Sequence, residues 1–386
     1  MCPSAQTGYA RHMSYNEQHP RPDEASTGHS QRILRVGVVS DGGFASTIAS
    51  AIIDALPDHV RVDGAAVGLE VARASVTLPP TATGSAQLGQ WLESVQATES
   101  YDIVLCVSEV PRRLRSRPVV AELHDNSTGA LYVPSFGTIA VRRRAIRSAI
   151  TVLHELLGTD SDSRPPLTQF ETRWLPSSPN HGDGEAGGSE DRVLLASGAF
   201  GRLRLISGMI RCNRPWRLVP TLSGALAAAS AASAFGVFYA SIWQMASSMT
   251  LARLTVIGVL AVVAMTIWLI FPHGLWEHRA FRASMTDRSM YNAATVGTVL
   301  TGVLCMYAVL FAVVLASSAV VIPPDFLSEQ IGRRASLGDY LALAWLAASL
   351  GIVAGAVGSS VADRDEILNA TYGHRELMRR RAADSS

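Results

Sequence analysis

Residues 293–322 read AATVGTVLTGVLCMYAVLFAVVLASSAVVI, thirty positions without one Asp, Glu, Lys or Arg. Crossing about 30 Å of hydrocarbon takes about 20 helical residues at about 1.5 Å each, so this run is long enough to span a bilayer. It does not stand alone. Leu218–Trp243, Leu254–Phe271 and Tyr340–Val361 also contain no Asp, Glu, Lys or Arg. A soluble core has no place for four such runs in succession, and the pattern predicts an all-α bundle of four transmembrane helices over 218–361.

The arginines orient that bundle. Arg202, Arg204, Arg211, Arg214 and Arg217 precede the first run; Arg279, Arg282 and Arg288 lie between the second and third; Arg364, Arg375, Arg379, Arg380 and Arg381 follow the fourth. These thirteen fall on one side and only Arg253, Arg333 and Arg334 on the other, so the positive-inside rule places both termini in the cytoplasm of a multi-pass cell-membrane protein. Leu195–Ile210, basic and apolar together, is expected to lie along the membrane surface. Small residues recur every fourth position at Gly224, Ala228, Ala232, Gly236 and at Ala347, Gly351, Gly355, Ser359. Such stripes let helices approach closely, within one bundle or in a homo-oligomer. No ionisable residue falls mid-run, which argues against a proton-coupled transporter.

The N-terminal half has ordinary soluble composition. Residues 1–32 hold too few large apolar side chains to offset the entropy of ordering, and a disordered tail is expected. Strands are predicted at Ile33–Ser40, Val60–Val67, Tyr101–Val107, Pro118–Leu123 and Ala130–Pro134. Helices are predicted after the Asp41-Gly42-Gly43 turn, with Phe44, Ile48, Ala51 and Ala55 on one face; over 86–97; and before Gly158, with Ile139, Ile146, Ile150, Leu153 and Leu157 in a stripe. This alternation favours βαβ crossovers and a mainly parallel sheet. The chain is thus read as a cytoplasmic α/β domain over 33–158, a flexible linker over 159–191, an interfacial basic segment over 192–217, the bundle, and a cytoplasmic basic tail over 362–386.

Two places could hold a ligand. Asp41, Gly42 and Gly43 form a turn between a strand and a helix, where free backbone N–H groups can hold phosphate; alternatively the glycines only tighten the turn and Asp41 caps the helix. Arg112, Arg113, Arg115 and Arg117 follow the third strand, at the sheet edge where α/β folds bind ligands, and could grip an anion or a lipid headgroup. Exposed charges contribute little to stability, so Gln at Arg112, Arg113 and Arg115 is expected to fold normally. Arg142, Arg143, Arg144 and Arg147 begin a helix whose dipole they oppose unless an anion compensates.

Composition excludes several chemistries. All 33 basic residues are arginine, so a Walker A lysine, a Schiff base and a lysine general base are ruled out. The four cysteines have no CxxC spacing and the histidines no metal-ligand spacing, which leaves no metal site. No nucleophile can be named, no cofactor is indicated, and a net charge of +1 gives no case for nucleic acid.

The segments Ser108-Glu109-Val110-Pro111-Arg112-Arg113, Arg117-Pro118-Val119-Val120-Ala121-Glu122, Asn213-Arg214-Pro215-Trp216-Arg217-Leu218-Val219-Pro220 and Tyr291-Asn292-Ala293-Ala294-Thr295 resemble a family of actinobacterial integral membrane proteins. The resemblance implies this domain order and brings no catalytic or binding residues with it. Some relatives carry the name 5,10-methylenetetrahydrofolate dehydrogenase, which implies NADP and folate as ligands; the catalytic lysine of the soluble folate dehydrogenases has no counterpart in a chain without lysine. The expected function is a membrane-anchored binding or regulatory protein, with the lipid bilayer, an anionic ligand or a membrane-protein partner as its contacts. A dehydrogenase, a small-solute permease or a subunit of a larger membrane complex are the alternatives.

Overall fold

The computed structural model describes residues 32–62, 64–77, 85–114, 117–124, 127–158, 174–176, 192–196, 200–276, 285–359, 367–368 and 371–372. Most of the predicted tails and linker, and Arg115, lie outside the described residues.

The N-terminal part runs β1 (Ile33–Ser40), α1 (Phe44–Ile53), β2 (His59–Val62), β3 (Ala65–Thr77), α2 (Ser85–Glu99), β4 (Ile103–Ser108), β5 (Arg113–Leu114), β6 (Arg117–Leu123), β7 (Thr128–Tyr132), a 3-10 turn (Val133–Phe136), α3 (Val141–Leu156), β8 (Trp174–Pro176) and β9 (Arg192–Leu195). Val36, Val38 and Val39 on β1 and Val104, Leu105 and Cys106 on β4 are fully buried, as central strands covered on both faces require. On one face α1 and α3 pack through Ile48, Ile52, Ala145, Ala149 and Val152. On the other, α2 packs Leu88, Leu92 and Val95 against Val39 and Cys106.

The sheet is mixed, not mainly parallel. Its order is β2-β3-β1-β4-β7-β6-β9-β8, with β5 paired to β6. Only β3–β1, β1–β4 and β4–β7 are parallel. Parallel neighbours need a long crossover, whereas the short turn from Leu123 to Thr128 can only return the chain antiparallel. Likewise the single strand expected over Val60–Val67 is a hairpin, β2 with β3, turned at Gly64 with φ +79°.

Two apolar stripes are largely buried as expected, with Phe44, Ile48 and Ala51 of α1 and Leu153 of α3 inside, but each departs from expectation at one end. The innermost face of α3 carries Val141, Ala145, Ala149, Val152 and Leu156, with Ile146, Ile150 and Leu157 flanking it, because the alanines allow the helix close to the sheet. Ile139 precedes the helix and is 77% exposed. Ala55 lies beyond the end of α1 and is exposed. The sheet also continues past residue 158: β9 pairs with β6 and β8 with β9, so strands occupy part of the expected linker and of the expected interfacial segment.

The C-terminal part runs α4 (Gly201–Asn213), a second 3-10 turn (Pro215–Arg217), α5 (Leu218–Thr221), α6 (Ser223–Phe238), α7 (Ala240–Ser248), α8 (Leu251–Ile270), α9 (Met285–Val321), α10 (Pro324–Ile331) and α11 (Leu337–Gly358). Among the described residues three helices, α8, α9 and α11, are long and apolar enough to cross a membrane. The first predicted span is not one helix. The path over Gly201–Thr221 bends by 57° into α6, and the pair can count as a fourth crossing only as a broken span. Pro215 and Pro220 supply no N–H near the bend. A second break falls at Tyr239, with extended backbone, where the Trp243 indole N–H donates to the Gly236 carbonyl at 3.0 Å. In lipid such a bond replaces the one that the break removes.

The small-residue stripes are used inside the chain. On α11, Gly351 and Gly355 lie against Ala229 and Ala225 of α6, while Gly236 of α6 meets Ala347. The α6 face is Ala225, Ala229, Ser233 and Gly236, one position from the expected stripe over most of its length. The helices have two ends. At one, Asn213 donates to Thr298 and Tyr372 donates to the Leu275 carbonyl. At the other, Gln244 donates to the Gln330 carbonyl and Arg333 pairs with Asp339. The α/β domain joins the first end.

That junction is a packed contact. The α4 helix, expected along a membrane surface, packs between the α/β domain and the apolar helices, so a contact as well as the linker joins the two. Leu205 and Met209 of α4 cluster with Met290 and Ala294 of α9. A neighbouring side of α4 presses Gly208 so closely on Pro134 that a Cβ there would overlap the Pro134 carbonyl.

Candidate functional site

The chain leaves β1 toward β3 on one side, while β4 lies on the other, so the carboxyl ends of β1 and β4 form a switch point of the sheet. Open α/β sheets bind ligands in such a crevice. Asp41 follows β1, Glu109 follows β4, and the first turn of α1 points its N–H groups between them.

The crevice is filled by the protein itself. Glu109 Oε1 accepts from the Phe44 N–H at 2.6 Å and the Ala45 N–H at 3.0 Å. Asp41 accepts from the Ser108 hydroxyl at 2.7 Å and the Glu109 N–H at 2.8 Å. Asp41 therefore ties down the loop after β4, while the N-cap of α1 is Gly43, which has no side chain to serve as a cap. Gly43 has φ +79°, and a Cβ there would lie 2.8 Å from Glu109 Oε1, so glycine is required on both counts. Gly42 is half-buried beside it.

Glu109 is 6% exposed and its Oε2 has no hydrogen-bond partner. Burial pushes its carboxyl up, and the Asp41 charge adds to this; the N–H groups of Ala45 and Phe44 and the Arg214 cation pull it back, leaving it at about 7. Desolvation outweighs the helix N-terminus here because little water reaches the group.

The described part of the arginine loop forms a short antiparallel strand pair, β5 with β6. Arg112 bonds to Glu122 with Nε–Oε2 at 3.3 Å, and the Tyr132 hydroxyl donates to the same Glu122 oxygen at 2.7 Å. Glu122 and Tyr132 are both 1% exposed. Arg113 sits in β5, and Arg117 opens β6, exposed. The structure thus brings Asp41, Gly42 and Gly43 together with Glu109, while Arg112 meets Glu122 and Arg113 lies in the β5–β6 pair. Glu109 carried no signal in the sequence beyond its place directly after a strand, and Glu122 and Tyr132 carried only their place inside strands.

Above the crevice lies α4. The Arg211 guanidinium stacks between two rings, 4.6 Å from the Phe44 centroid and 4.8 Å from that of Trp216. Arg214, in left-handed backbone with φ 52°, donates to Thr47 at 3.4 Å. A cleft of about 540 Å³ runs beside these groups, along α1 and the start of α3. No group of three or more His, Cys, Asp or Glu able to hold a metal occurs among the described residues. No protein-family model matches the chain, and comparison with curated proteins and with solved structures finds no match either.

Proposed function

We propose that this chain is a membrane-anchored binding and regulatory protein, whose α/β domain senses a ligand and whose helices, four crossings with the broken α4–α6 path as the first, hold it at the cytoplasmic face. The observation that carries this reading is the junction: Gly208 on Pro134, and Arg211 between Phe44 of the domain and Trp216 at the foot of the bundle. A domain packed in this way, unlike one on a free tether, can pass a change at its switch point to the helices. A dehydrogenase is disfavoured by the same site, because the pyrophosphate of a dinucleotide binds at the α1 N-terminus, where Glu109 and Asp41 already stand.

The orientation rests on charge. Of the three arginines at the far end, Arg333 is paired with Asp339. Reporter fusions after Ser386 and near Glu329 test it: a cytoplasmic signal from the first and an external signal from the second are expected. An external signal from the Ser386 fusion overturns the topology, and tight binding of NADP by the purified full chain in detergent would favour the dehydrogenase.

A further inference from the structure

The cleft beside α1 has the size of a small-molecule site, at about 540 Å³. Its walls include Thr47, Ile48 and Ala51 of α1, Val141 and Arg142 of α3, and Arg211 of α4. Two features of this lining point to one ligand chemistry.

Arg211 is a cation held ready without a carboxylate partner among the described residues. Phe44 and Trp216 fix the plane of its guanidinium from both sides, and its Nη1 is buried with no hydrogen-bond partner. A guanidinium with no carboxylate beside it favours a charged oxygen that reaches it. Arg211 lines the cleft, and it meets an entering anion through the part of the guanidinium that is not buried.

The lining adds a second, exposed cation. Arg142 is in the first turn of α3, followed by Arg143 and Arg144, with no acidic residue in that turn and no side-chain cap on the helix. Arg144 donates to the Phe136 carbonyl at 2.8 Å, but Arg142 faces the cleft at the positive end of the helix dipole, which is unfavourable by itself and is relieved by an anion there. Ile48, Ala51 and Val141 offer an apolar wall, and Asp54 lines the cleft at the far end of α1, suited to a hydroxyl or ammonium group.

We infer that the cleft binds a phosphate-bearing anion, with the phosphate held between Arg211 and Arg142 and the organic part lying on Ile48, Ala51 and Val141. This rests on reading the α/β domain as a binding module. A free phosphomonoester and the headgroup of an anionic lipid share this chemistry. The headgroup is within the architecture's reach, because α4 leads through Trp216 directly into the apolar helices.

The test uses the full chain purified in detergent, with phenyl phosphate as the soluble probe in calorimetry. The lipid arm uses nanodiscs of phosphatidylcholine with or without phosphatidylglycerol, reading lipid retained on extraction by native mass spectrometry. Arg142 is exposed, so Arg142→Gln should fold and melt as wild type. It should weaken binding about tenfold, as expected for one lost charge-assisted hydrogen bond. Arg211→Gln should weaken it further. Phenyl phosphate binding that falls in Arg142→Gln supports a free anion; selective phosphatidylglycerol retention that falls in the same variant supports a headgroup. If neither probe binds, or a normally folded Arg142→Gln binds as wild type does, the inference is overturned. Membrane topology is read by the fusions independently, so loss of this site and loss of the anchoring model give different results.

Discussion

The Glu109 carboxylate accepts the Phe44 backbone N–H at 2.6 Å across a separation of 65 residues, so the N-terminus of α1 is capped by a side chain from the far side of the switch point. An anion site created by a glycine turn is closed by the protein's own anion. The closure is held from both ends, since Asp41 in turn accepts the Glu109 N–H. Phe44, the residue so capped, also carries Arg211 on its ring.

This arrangement makes stability depend on pH. The Glu109 carboxyl sits at about 7 in the folded chain against an ordinary 4.5, so between those values the folded state binds more protons than the unfolded one. Stability therefore falls as pH rises through this window and levels off above it. Glu109→Gln keeps an acceptor for the Phe44 and Ala45 N–H groups while removing the charge. Melting of the full chain at about pH 5 and about pH 8 should differ less in this variant, with a gain on the order of 3 kcal/mol at the higher pH. An unchanged pH dependence would refute the assignment.

Gly208 should be the most sensitive position of the junction. Alanine there must displace the Pro134 carbonyl, which is backbone and cannot swing aside. A loss of roughly 1–3 kcal/mol is expected, as for overpacking elsewhere. Hydrogen exchange should rise in α4 and around Pro134 while α8 and α11 stay protected.

Arg112 is no longer expected to tolerate Gln. Its loss takes the cation away from the buried Glu122, which also accepts from the Tyr132 hydroxyl, and Arg112 itself is only 27% exposed. Breaking a buried pair this way costs roughly 2–4 kcal/mol, the lower part being apt for a partly exposed arginine. Chemical unfolding of Arg112→Gln beside Arg117→Gln, which is exposed and should be near neutral, checks this.

Gly351 should resist even alanine. A Cβ there would overlap the Ser233 hydroxyl and lie 2.6 Å from the Ala229 carbonyl, so α6 and α11 would have to separate. Unfolding of Gly351→Ala in mixed micelles should begin earlier than wild type by roughly 1–3 kcal/mol, because close packing is what holds helices together in lipid.

The residues alone determined whatever depends on near neighbours. Residues 254–271, 293–322 and 340–361 are apolar enough to be helices α8, α9 and α11 wherever they stand, and β1 spans Ile33–Ser40 as its alternation with the glycine turn indicates. Gly158, with φ +63°, ends α3 as its position suggested. Tertiary structure decided what depends on distant partners. Strand direction was set by which connections were long enough to cross over, and the break at Tyr239 was made tolerable by the Trp243 indole. Arg112 was paired with Glu122, ten residues away but adjacent only across the strand pairing of the sheet. Glu109 reached α1 because β1 and β4 lie side by side in register, Ser40 beside Val107. Local composition sets the conformation a segment prefers, whereas a buried charge takes its role from the groups that share its low-dielectric surroundings, and those are chosen by the fold.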